Sequence, residues 1–298
     1  MSETPSLVGP VRPADADADT GTDIEADTGI DIEADTGIDT DTDAVTDLRR
    51  AARAIRDAVR RHGYAVCHGR SADWARAAAP PLADLLGADL SRWHAAREPA
   101  ARDRLVGSRL LLRWAVAAAG GCAPDEVRLG RDARGRPVVC APAGLDAGLS
   151  HTGDLLVVGV ARGRLIGVDV EARGRSLRDL AERICHPRES AELRRLPPAE
   201  RETALVRLWT LKEAWTKALG VGLAQDLTRL DTRSPARSGG RDGWRLDCRE
   251  IRGGFLVGVA VGPGGGTDSG SVGDSVSGSV GGSVGGSVSG SVGGPGSA

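Results

Sequence analysis

The pattern of apolar and polar residues in the middle of the chain predicts helices and short strands in mixed order. In the stretch 99–119, Leu105, Leu112 and Val116 recur with helical spacing on one face. This spacing predicts a long helix. The same reasoning predicts further helices over 176–184, 188–195 and 199–219.

Short apolar runs bounded by polar or glycine residues predict the strands. The runs 154–162 and 164–171 are separated only by Gly163, so we expect them to pair as a β-hairpin. The segment 150–153 then lies in the loop that precedes this hairpin. Helices and strands do not alternate strictly, which predicts an α+β fold class. Further strands are expected at 126–129, 137–140, 244–248 and 254–261.

The two ends of the chain differ in composition from its middle. Residues 1–47 repeat Asp, Thr, Gly, Ile and Ala, and residues 263–298 are almost wholly Gly, Ser and Val. Such segments bury too little apolar surface to offset the entropy lost on ordering, so we expect a disordered acidic arm and a disordered tail. The body between them divides into an N-terminal half, 48–148, and a C-terminal half, 149–262.

Several classes of protein are excluded by what the sequence lacks. It has no Gly-X-Y period, no sustained heptad repeat and no apolar run near 18 residues, which excludes collagen, coiled coils and transmembrane proteins. The first residues show neither the basic nor the apolar region of a signal peptide. The five cysteines have no C-x-x-C spacing, which is typical of reduced, buried thiols. We therefore predict a cytoplasmic protein without a membrane partner.

The formal net charge of −2 conceals a strongly basic body. Fourteen acidic residues and one arginine fall within 1–48, and two more aspartates lie in the tail, so the body carries a net charge of +13. Such a body attracts anionic ligands, which include phosphates, nucleic acids and acidic proteins. Charge alone does not decide among these three.

Two carboxylates mark the strand predicted at 164–171. Asp169 and Glu171 are two residues apart, so their side chains lie on the same face of the strand. Neighbouring carboxylates at a buried strand end repel each other and lose hydration, so a cation must compensate them. Paired arginines and a hard divalent cation both satisfy this requirement.

The helix predicted at 199–219 carries a second set of polar residues. Trp209, Glu213 and Lys217 follow each other at intervals of four and share one face. Glu213 can supply a third carboxylate to a metal, with Lys217 one turn further along. The alternative is an ordinary exposed Glu–Lys pair on the helix surface.

Lysine is rare in this chain. The sequence contains 37 Arg but only two Lys, Lys212 and Lys217, and both fall in this helix. A compact ammonium fits a crowded phosphate–metal site better than a wide guanidinium does. The composition therefore favours a role at such a site over a surface role.

Ser150 and His151 form a third candidate group. A nucleophile–base pair is disfavoured, because adjacent residues rarely point at each other and no activating carboxylate is evident. Binding of a phosphate by the hydroxyl and the imidazole fits the basic, glycine-containing surroundings better. A polar cap of a helix or loop is the structural alternative.

Five motifs occur in an order that resembles a known family. They are RLVGSRLLLR at 104–113, GRP at 135–137, LSHTG at 149–153, GVDVE at 167–171 and WTLKEAWTKALGVGL at 209–223. Together they resemble the 4′-phosphopantetheinyl transferases, in particular the long, single-chain, pseudo-dimeric group that activates carrier proteins of polyketide and nonribosomal peptide pathways. The resemblance covers about residues 62–262.

The resemblance implies a fold of two similar α+β halves, related by a pseudo-twofold axis, with the active site in the cleft between them. It implies that Asp169, Glu171 and Glu213 bind Mg²⁺. It further implies that Glu213 is the general base, directly or through a water molecule, and that Lys217 steadies the pyrophosphate. Contacts to coenzyme A are implied for Arg104, Arg131, Arg134, Gly135, Arg136, Ser150, His151 and Lys217.

The implied reaction transfers 4′-phosphopantetheine from coenzyme A to a serine of an apo acyl, peptidyl or aryl carrier protein and releases 3′,5′-ADP. The expected partners are these carriers and coenzyme A, without nucleic acid, and we expect a monomer. Two other classes stay open: a non-catalytic binder of anions or nucleic acid, and a Mg²⁺-dependent enzyme that acts on another nucleotide. Six Trp, one Tyr and one Phe are few for nucleic-acid binding, and no P-loop motif supports the second class.

Overall fold

The computed structural model describes residues 6–8, 43–77, 80–222, 225–233 and 243–264. Helices and strands follow each other in mixed order, so the predicted α+β class is confirmed. The helices are α1 (Asp43–His62), α2 (Ser71–Arg76), α3 (Leu82–Leu86), α4 (Leu90–Ala95), α5 (Pro99–Gly120), α6 (Ala181–Ile184), α7 (Pro187–Arg195) and α8 (Pro198–Leu219). The strands are β1 (Ser6–Val8), β2 (Tyr64–Arg70), β3 (Arg128–Arg131), β4 (Pro137–Ala141), β5 (Leu145–Thr152), β6 (Leu155–Arg162), β7 (Arg164–Ala172), β8 (Arg245–Ile251) and β9 (Phe255–Pro263).

The larger sheet is antiparallel and has the strand order β1-β2-β6-β5. Successive residues of β6 point to opposite faces of this sheet. Leu156 and Val158 pack with apolar side chains of α1 and α5, whereas Leu155 and Val157 pack with apolar side chains of β7 and β9. Strand β6 is therefore buried on both faces, which explains why almost every residue in it is apolar.

A second antiparallel sheet, with the order β7-β9-β8, lies between the larger sheet and α8. Two glycines allow α8 to approach this sheet closely. A Cβ atom at Gly167 would lie 2.0 Å from the carbonyl oxygen of Ala214, and one at Gly258 would lie 2.5 Å from that of Thr210. The α8 backbone therefore rests directly on β7 and β9, and its polar face is held beside the carboxylates of β7.

The predicted β-hairpin of 154–162 with 164–171 is wrong. Both runs form strands, and Gly163 turns between them with a φ of +63°, but the strands enter different sheets. Strand β6 pairs with β2 and β5, whereas β7 pairs with β9. Strands that are apolar on both faces carry no alternation to show which neighbour they take, so the short turn alone does not fix their pairing.

The prediction of a loop at 150–153 is also wrong for most of this segment, because β5 extends to Thr152. Ser150 is opposite Val157 of β6 in the ladder. Strand β5 also contacts β7, where Asp146 Oδ2 accepts a hydrogen bond from the backbone N–H of Ile166 at 2.8 Å. This contact between the two sheets brings Ser150 to the carboxylates of β7.

Most other predicted elements are confirmed. Helices α5, α7 and α8 agree with their predicted bounds to within one residue at each end, and α8 ends before Gly220, which has a φ of +65°. The predicted helix 176–184 is only partly α-helical, because a 3₁₀ turn over Arg178–Leu180 precedes α6. Strands β3, β4, β8 and β9 lie close to their predicted positions.

Strand β1 and the start of α1 fall within the arm predicted over 1–47. Strand β1 pairs with β2, and α1 begins at Asp43, so these parts of the arm are in regular structure. The rest of the arm, and the predicted tail from residue 265 onward, lie outside the described residues. The division of the body into two halves related by a pseudo-twofold axis stays a prediction. None of the described helices is both long and apolar enough to cross a bilayer.

Candidate active site

Side chains from three elements meet where β5 and β7 face the end of α8. Asp169 on β7 is only 4% exposed, and its Oδ1 accepts a hydrogen bond from Ser150 Oγ of β5 at 2.8 Å. Lys217 Nζ of α8 donates to the same Oδ1 at 2.5 Å and to Ser150 Oγ at 2.9 Å. The structure thus brings together three residues that the sequence assigned to one site.

Glu171, two residues further along β7, has a different set of partners. Its Oε1 accepts a hydrogen bond from Trp209 Nε1 at 2.9 Å and another from the guanidinium of Arg175. Arg175 also lies over the Trp209 ring, with its Cζ 5.5 Å from the ring centroid. Sequence reasoning missed Arg175, because it lies beyond the end of β7, where no periodicity shows which way a side chain points.

Two carboxylate oxygens at this site are buried without a hydrogen-bond partner: Oδ2 of Asp169 and Oε1 of Glu213. Burial and the charge of Asp169 raise the pKa of Glu213, and the charge of Lys217 opposes them only in part. Nearly all buried polar atoms in proteins find a partner, so two such oxygens in one site require an explanation. Oxygens of this kind bind a proton or a hard cation.

The donor set fits a divalent cation in part. Within the described residues, no group of three or more His, Cys, Asp or Glu side chains already has the spacing of a metal site. Asp169 and Glu213 each offer an unpaired oxygen, whereas Oε1 of Glu171 is bound by Arg175 and Trp209. Two of the three predicted ligands are therefore open, and the third is engaged by a protein cation.

The two lysines of α8 have separate roles. Lys212 is fully buried, and its three ammonium protons are used by Glu189 Oε2 at 2.6 Å and by the carbonyl oxygens of Ile184 at 2.6 Å and Leu227 at 3.0 Å. Burial lowers the pKa of Lys212, and Glu189 opposes this effect. Lys212 therefore joins α8 to its neighbours and does not serve a phosphate–metal site as its residue type predicts, while Lys217 lies at the site.

Two further predicted residues lie at the edge of the site. Desolvation lowers the pKa of His151 on β5, and the nearby charges of Arg104 on α5 and Lys217 lower it further. The side chain of His151 stays accessible to solvent. The positive charges of Arg104 and Lys217 near this imidazole make the edge of the site suitable for a phosphate group.

The turn between β3 and β4 contacts the C-terminal end of α8. Arg134 donates to the carbonyl oxygen of Gly220 at 2.8 Å, and Gly135, which has a φ of +84°, allows the chain to turn. Arg131 donates to Gly135 O at 2.6 Å and to Asp89 at 2.8 Å. Guanidinium groups at the end of α8 also complement the negative end of its dipole.

Arg136 is not presented to a ligand as the sequence resemblance implies. Its guanidinium donates to both carboxylate oxygens of Asp146, to the carbonyl oxygens of Lys217 at 3.0 Å and Ile166 at 3.1 Å, and to its neighbour Pro137 at 3.4 Å. These contacts use all five N–H donors of the side chain. Arg136 instead joins the β3–β4 turn to β5, β7 and α8, and this role depends on tertiary contacts that no motif shows.

Asp89 is another residue that sequence reasoning missed. It is buried and accepts hydrogen bonds from Arg92 of α4, Arg109 of α5 and Arg131 of β3. Although burial alone would raise its pKa, the hydrogen bonds from Arg131 and Arg109 hold the pKa of this carboxyl well below its usual range. Asp89 thus fixes one end of the β3–β4 turn.

Comparison with known proteins supports the resemblance seen in the sequence. The profile of the 4′-phosphopantetheinyl transferase superfamily matches residues 165–247, which include Asp169, Glu171, Glu213 and Lys217. The chain is 37% identical to the 4′-phosphopantetheinyl transferase HetI of Nostoc sp. (strain PCC 7120) over 150 residues, which are 48% of this chain and 63% of that protein.

Two other relatives are similar over shorter stretches. A 4′-phosphopantetheinyl transferase of Bacillus subtilis is 30% identical over 129 residues, 43% of this chain and 57% of its own length. A holo-[acyl-carrier-protein] synthase of Geobacillus kaustophilus is 42% identical over 72 residues, 22% of this chain and 56% of its own length. The chain thus spans less than two thirds of the length of each of these relatives.

Proposed function

We propose that this chain, whose residues 165–247 carry the domain of the 4′-phosphopantetheinyl transferase superfamily, transfers 4′-phosphopantetheine from coenzyme A to a serine of an apo carrier protein. The second product is 3′,5′-ADP, and the reaction depends on Mg²⁺. The observation that carries this proposal is the pair of buried, unpaired oxygens on Asp169 and Glu213, next to the ammonium of Lys217.

Asp169 and Glu213 would hold Mg²⁺, with Glu171 as a third ligand. When bound, Mg²⁺ supplies positive charge that neutralises the diphosphate of coenzyme A. Lys217 lies beside Asp169, and about a third of its side chain is exposed, at 35%. Its ammonium can therefore turn from Asp169 and Ser150 toward the diphosphate, where it stabilises the charge of the leaving group.

Glu213 acts as the general base, directly or through a water molecule. The serine hydroxyl of the carrier loses its proton as it attacks the β-phosphorus, so a proton acceptor must be within reach. In the metal-free site, burial and the charge of Asp169 raise the pKa of Glu213. The unpaired Oε1 would bind the metal, so the proton would pass to the other carboxylate oxygen of Glu213 or to a water molecule.

Ser150, His151 and Arg104 bind the phosphates of coenzyme A at the edge of the site. The Ser150 hydroxyl already exchanges hydrogen bonds with Lys217 and Asp169, and Arg104 has no ion pair with any described residue. The exposed Arg134 and Gly135 of the β3–β4 turn extend this basic surface. Arg131 is partly exposed and keeps free N–H donors beside its bonds to Gly135 and Asp89, so it can contact coenzyme A from this turn. Binding of coenzyme A by Arg136 would require its guanidinium to leave Asp146 and its carbonyl partners.

The acceptor is an acyl, peptidyl or aryl carrier protein. One similar protein is named a holo-[acyl-carrier-protein] synthase, and the body of this chain has a net charge of +13, which attracts acidic partners. We further propose that the enzyme is a cytoplasmic monomer that binds neither nucleic acid nor membranes.

The experiment that tests this function is incubation with coenzyme A, Mg²⁺ and a panel of purified apo-carrier proteins, read by intact mass. We expect at least one carrier to gain one phosphopantetheine group, and chelation of Mg²⁺ to prevent the gain. Binding of DNA that weakens steeply with salt, without modification of any carrier, would support the non-catalytic alternative instead.

A further inference from the structure

Arg175 occupies a position beside the carboxylate cluster that the proposed reaction leaves unexplained. Its guanidinium donates to Glu171 Oε1, and its Cζ lies 5.5 Å from the centroid of the Trp209 ring. Trp209 donates to the same oxygen at 2.9 Å. The ion pair therefore lies on an aromatic surface that fixes both of its members.

The charges of the site explain why such a cation is present. Asp169, Glu171 and Glu213 place three carboxyl groups together, and Asp169 and Glu171 both raise the pKa of Glu213. Within the described residues, two protein cations oppose this charge: Lys217 pairs with Asp169 and Arg175 pairs with Glu171. Lys217 binds Oδ1 of Asp169 and leaves Oδ2 unpaired, and Arg175 binds Oε1 of Glu171.

The geometry points to Arg175 as a built-in counter-ion that competes with a divalent cation for the Glu171 carboxylate, because it holds Oε1 of that side chain. This inference rests on the metal site of the proposed function. A competing side chain weakens cation binding by the free enzyme, because the guanidinium repels a second cation at Glu171 and the ion pair is weakened when that cation binds. The side chain of Arg175 is 41% exposed, so it has room to leave Glu171.

The chain offers a matched control two residues away. Arg173 carries the same charge and is similarly exposed, but its side chain pairs with Glu250 of β8 at 3.2 Å and forms no hydrogen bond or ion pair with Asp169, Glu171 or Glu213. Substitution of either arginine by glutamine changes the net charge of the protein equally. A difference between the two variants therefore reports the contact with Glu171 rather than the overall charge.

The test is a titration of Mn²⁺ into the full-length chain without coenzyme A, read from the electron paramagnetic resonance signal of free Mn²⁺. We expect Arg175→Gln to bind Mn²⁺ roughly fivefold more tightly than the wild type, the upper end of the effect of a partly exposed ion pair. Arg173→Gln should match the wild type. Thermal unfolding of all three proteins checks that the fold is unchanged.

Equal or weaker Mn²⁺ binding by Arg175→Gln would overturn the inference, as would the same gain in Arg173→Gln or no binding by any of the three proteins. Transfer to an apo-carrier by the wild type is measured in parallel. If the wild type is active and the affinities are equal, the inference fails and the proposed function stands. If Arg175→Gln binds more tightly but the wild type modifies no carrier, the proposed function fails and the role of Arg175 stands.

Discussion

Lys217 Nζ lies 2.5 Å from Oδ1 of Asp169, while Oδ2 of the same carboxylate is buried without a partner. One oxygen is thus compensated by the protein and the other is left for a ligand. The ammonium fits between Asp169 and Ser150 because it is compact and can donate in three directions. This arrangement makes the shape of the cation, and not only its charge, important for the reaction.

We therefore expect Lys217→Arg to be poorly tolerated, although it keeps the charge. A planar guanidinium is wider than an ammonium, so we expect it to disturb the contacts with Ser150 and Asp169 or to displace a metal ligand or the diphosphate. The value of kcat/KM for the carrier should fall at least roughly tenfold, with little change in the thermal midpoint. Wild-type kinetics in this variant would show that the site does not require an ammonium.

Gly167→Ala tests the close approach of α8 to β7. The new Cβ would lie 2.0 Å from Ala214 O and 2.5 Å from the backbone nitrogen of Ala218, so α8 has to move. We expect a loss of about 1–3 kcal/mol in the free energy of unfolding, measured in urea, together with a lower kcat, because α8 carries Glu213 and Lys217. Gly174→Ala is the control, since a Cβ there meets nothing within 4 Å. Equal stability of the two variants would contradict this explanation of Gly167.

Lys212→Met should destabilise the fold without a direct effect on chemistry. The substitution leaves Glu189 buried without its ammonium partner and removes one donor each from the carbonyl oxygens of Ile184 and Leu227. Loss of one member of a buried ion pair costs about 3–5 kcal/mol. Urea unfolding measures the loss, and the double variant with Glu189→Gln should recover part of it. A stable Lys212→Met protein that has lost all transfer activity would instead place Lys212 in the active site.

The sequence predicts the parts of this site that depend on local periodicity. Asp169 and Glu171 share a strand face, and Trp209, Glu213 and Lys217 share a helix face, and both patterns are present in the structure. The two faces meet because α8 packs on β7. Neither motif predicts this packing by itself. The resemblance to a family, carried by the order of the motifs, supplied that step.

The features that the sequence did not predict depend on contacts between elements that are distant in sequence. The partner of β7 is β9, so the turn at Gly163 suggested the wrong pairing. The five hydrogen bonds of Arg136 and the burial of Lys212 arise only when several elements come together, and neither residue differs in sequence pattern from a ligand-binding one. Residue type and spacing therefore identify the side chains that could bind a ligand or accept a proton. The fold determines which of these side chains have atoms that are not already bound by protein partners.

The most direct test of the central claim is the rate at which an apo-carrier gains phosphopantetheine, followed by intact mass, in the wild type, Glu213→Gln and Asp169→Asn. Each substitution keeps the side-chain shape but removes one charge from the two carboxylates that have unpaired oxygens. We predict rates roughly 10²-fold or more below the wild type in both variants at saturating Mg²⁺. The thermal midpoint of Glu213→Gln should be unchanged or higher, because the buried charge of Glu213 is unfavourable. Near-wild-type rates in either variant would contradict the assignment of this site.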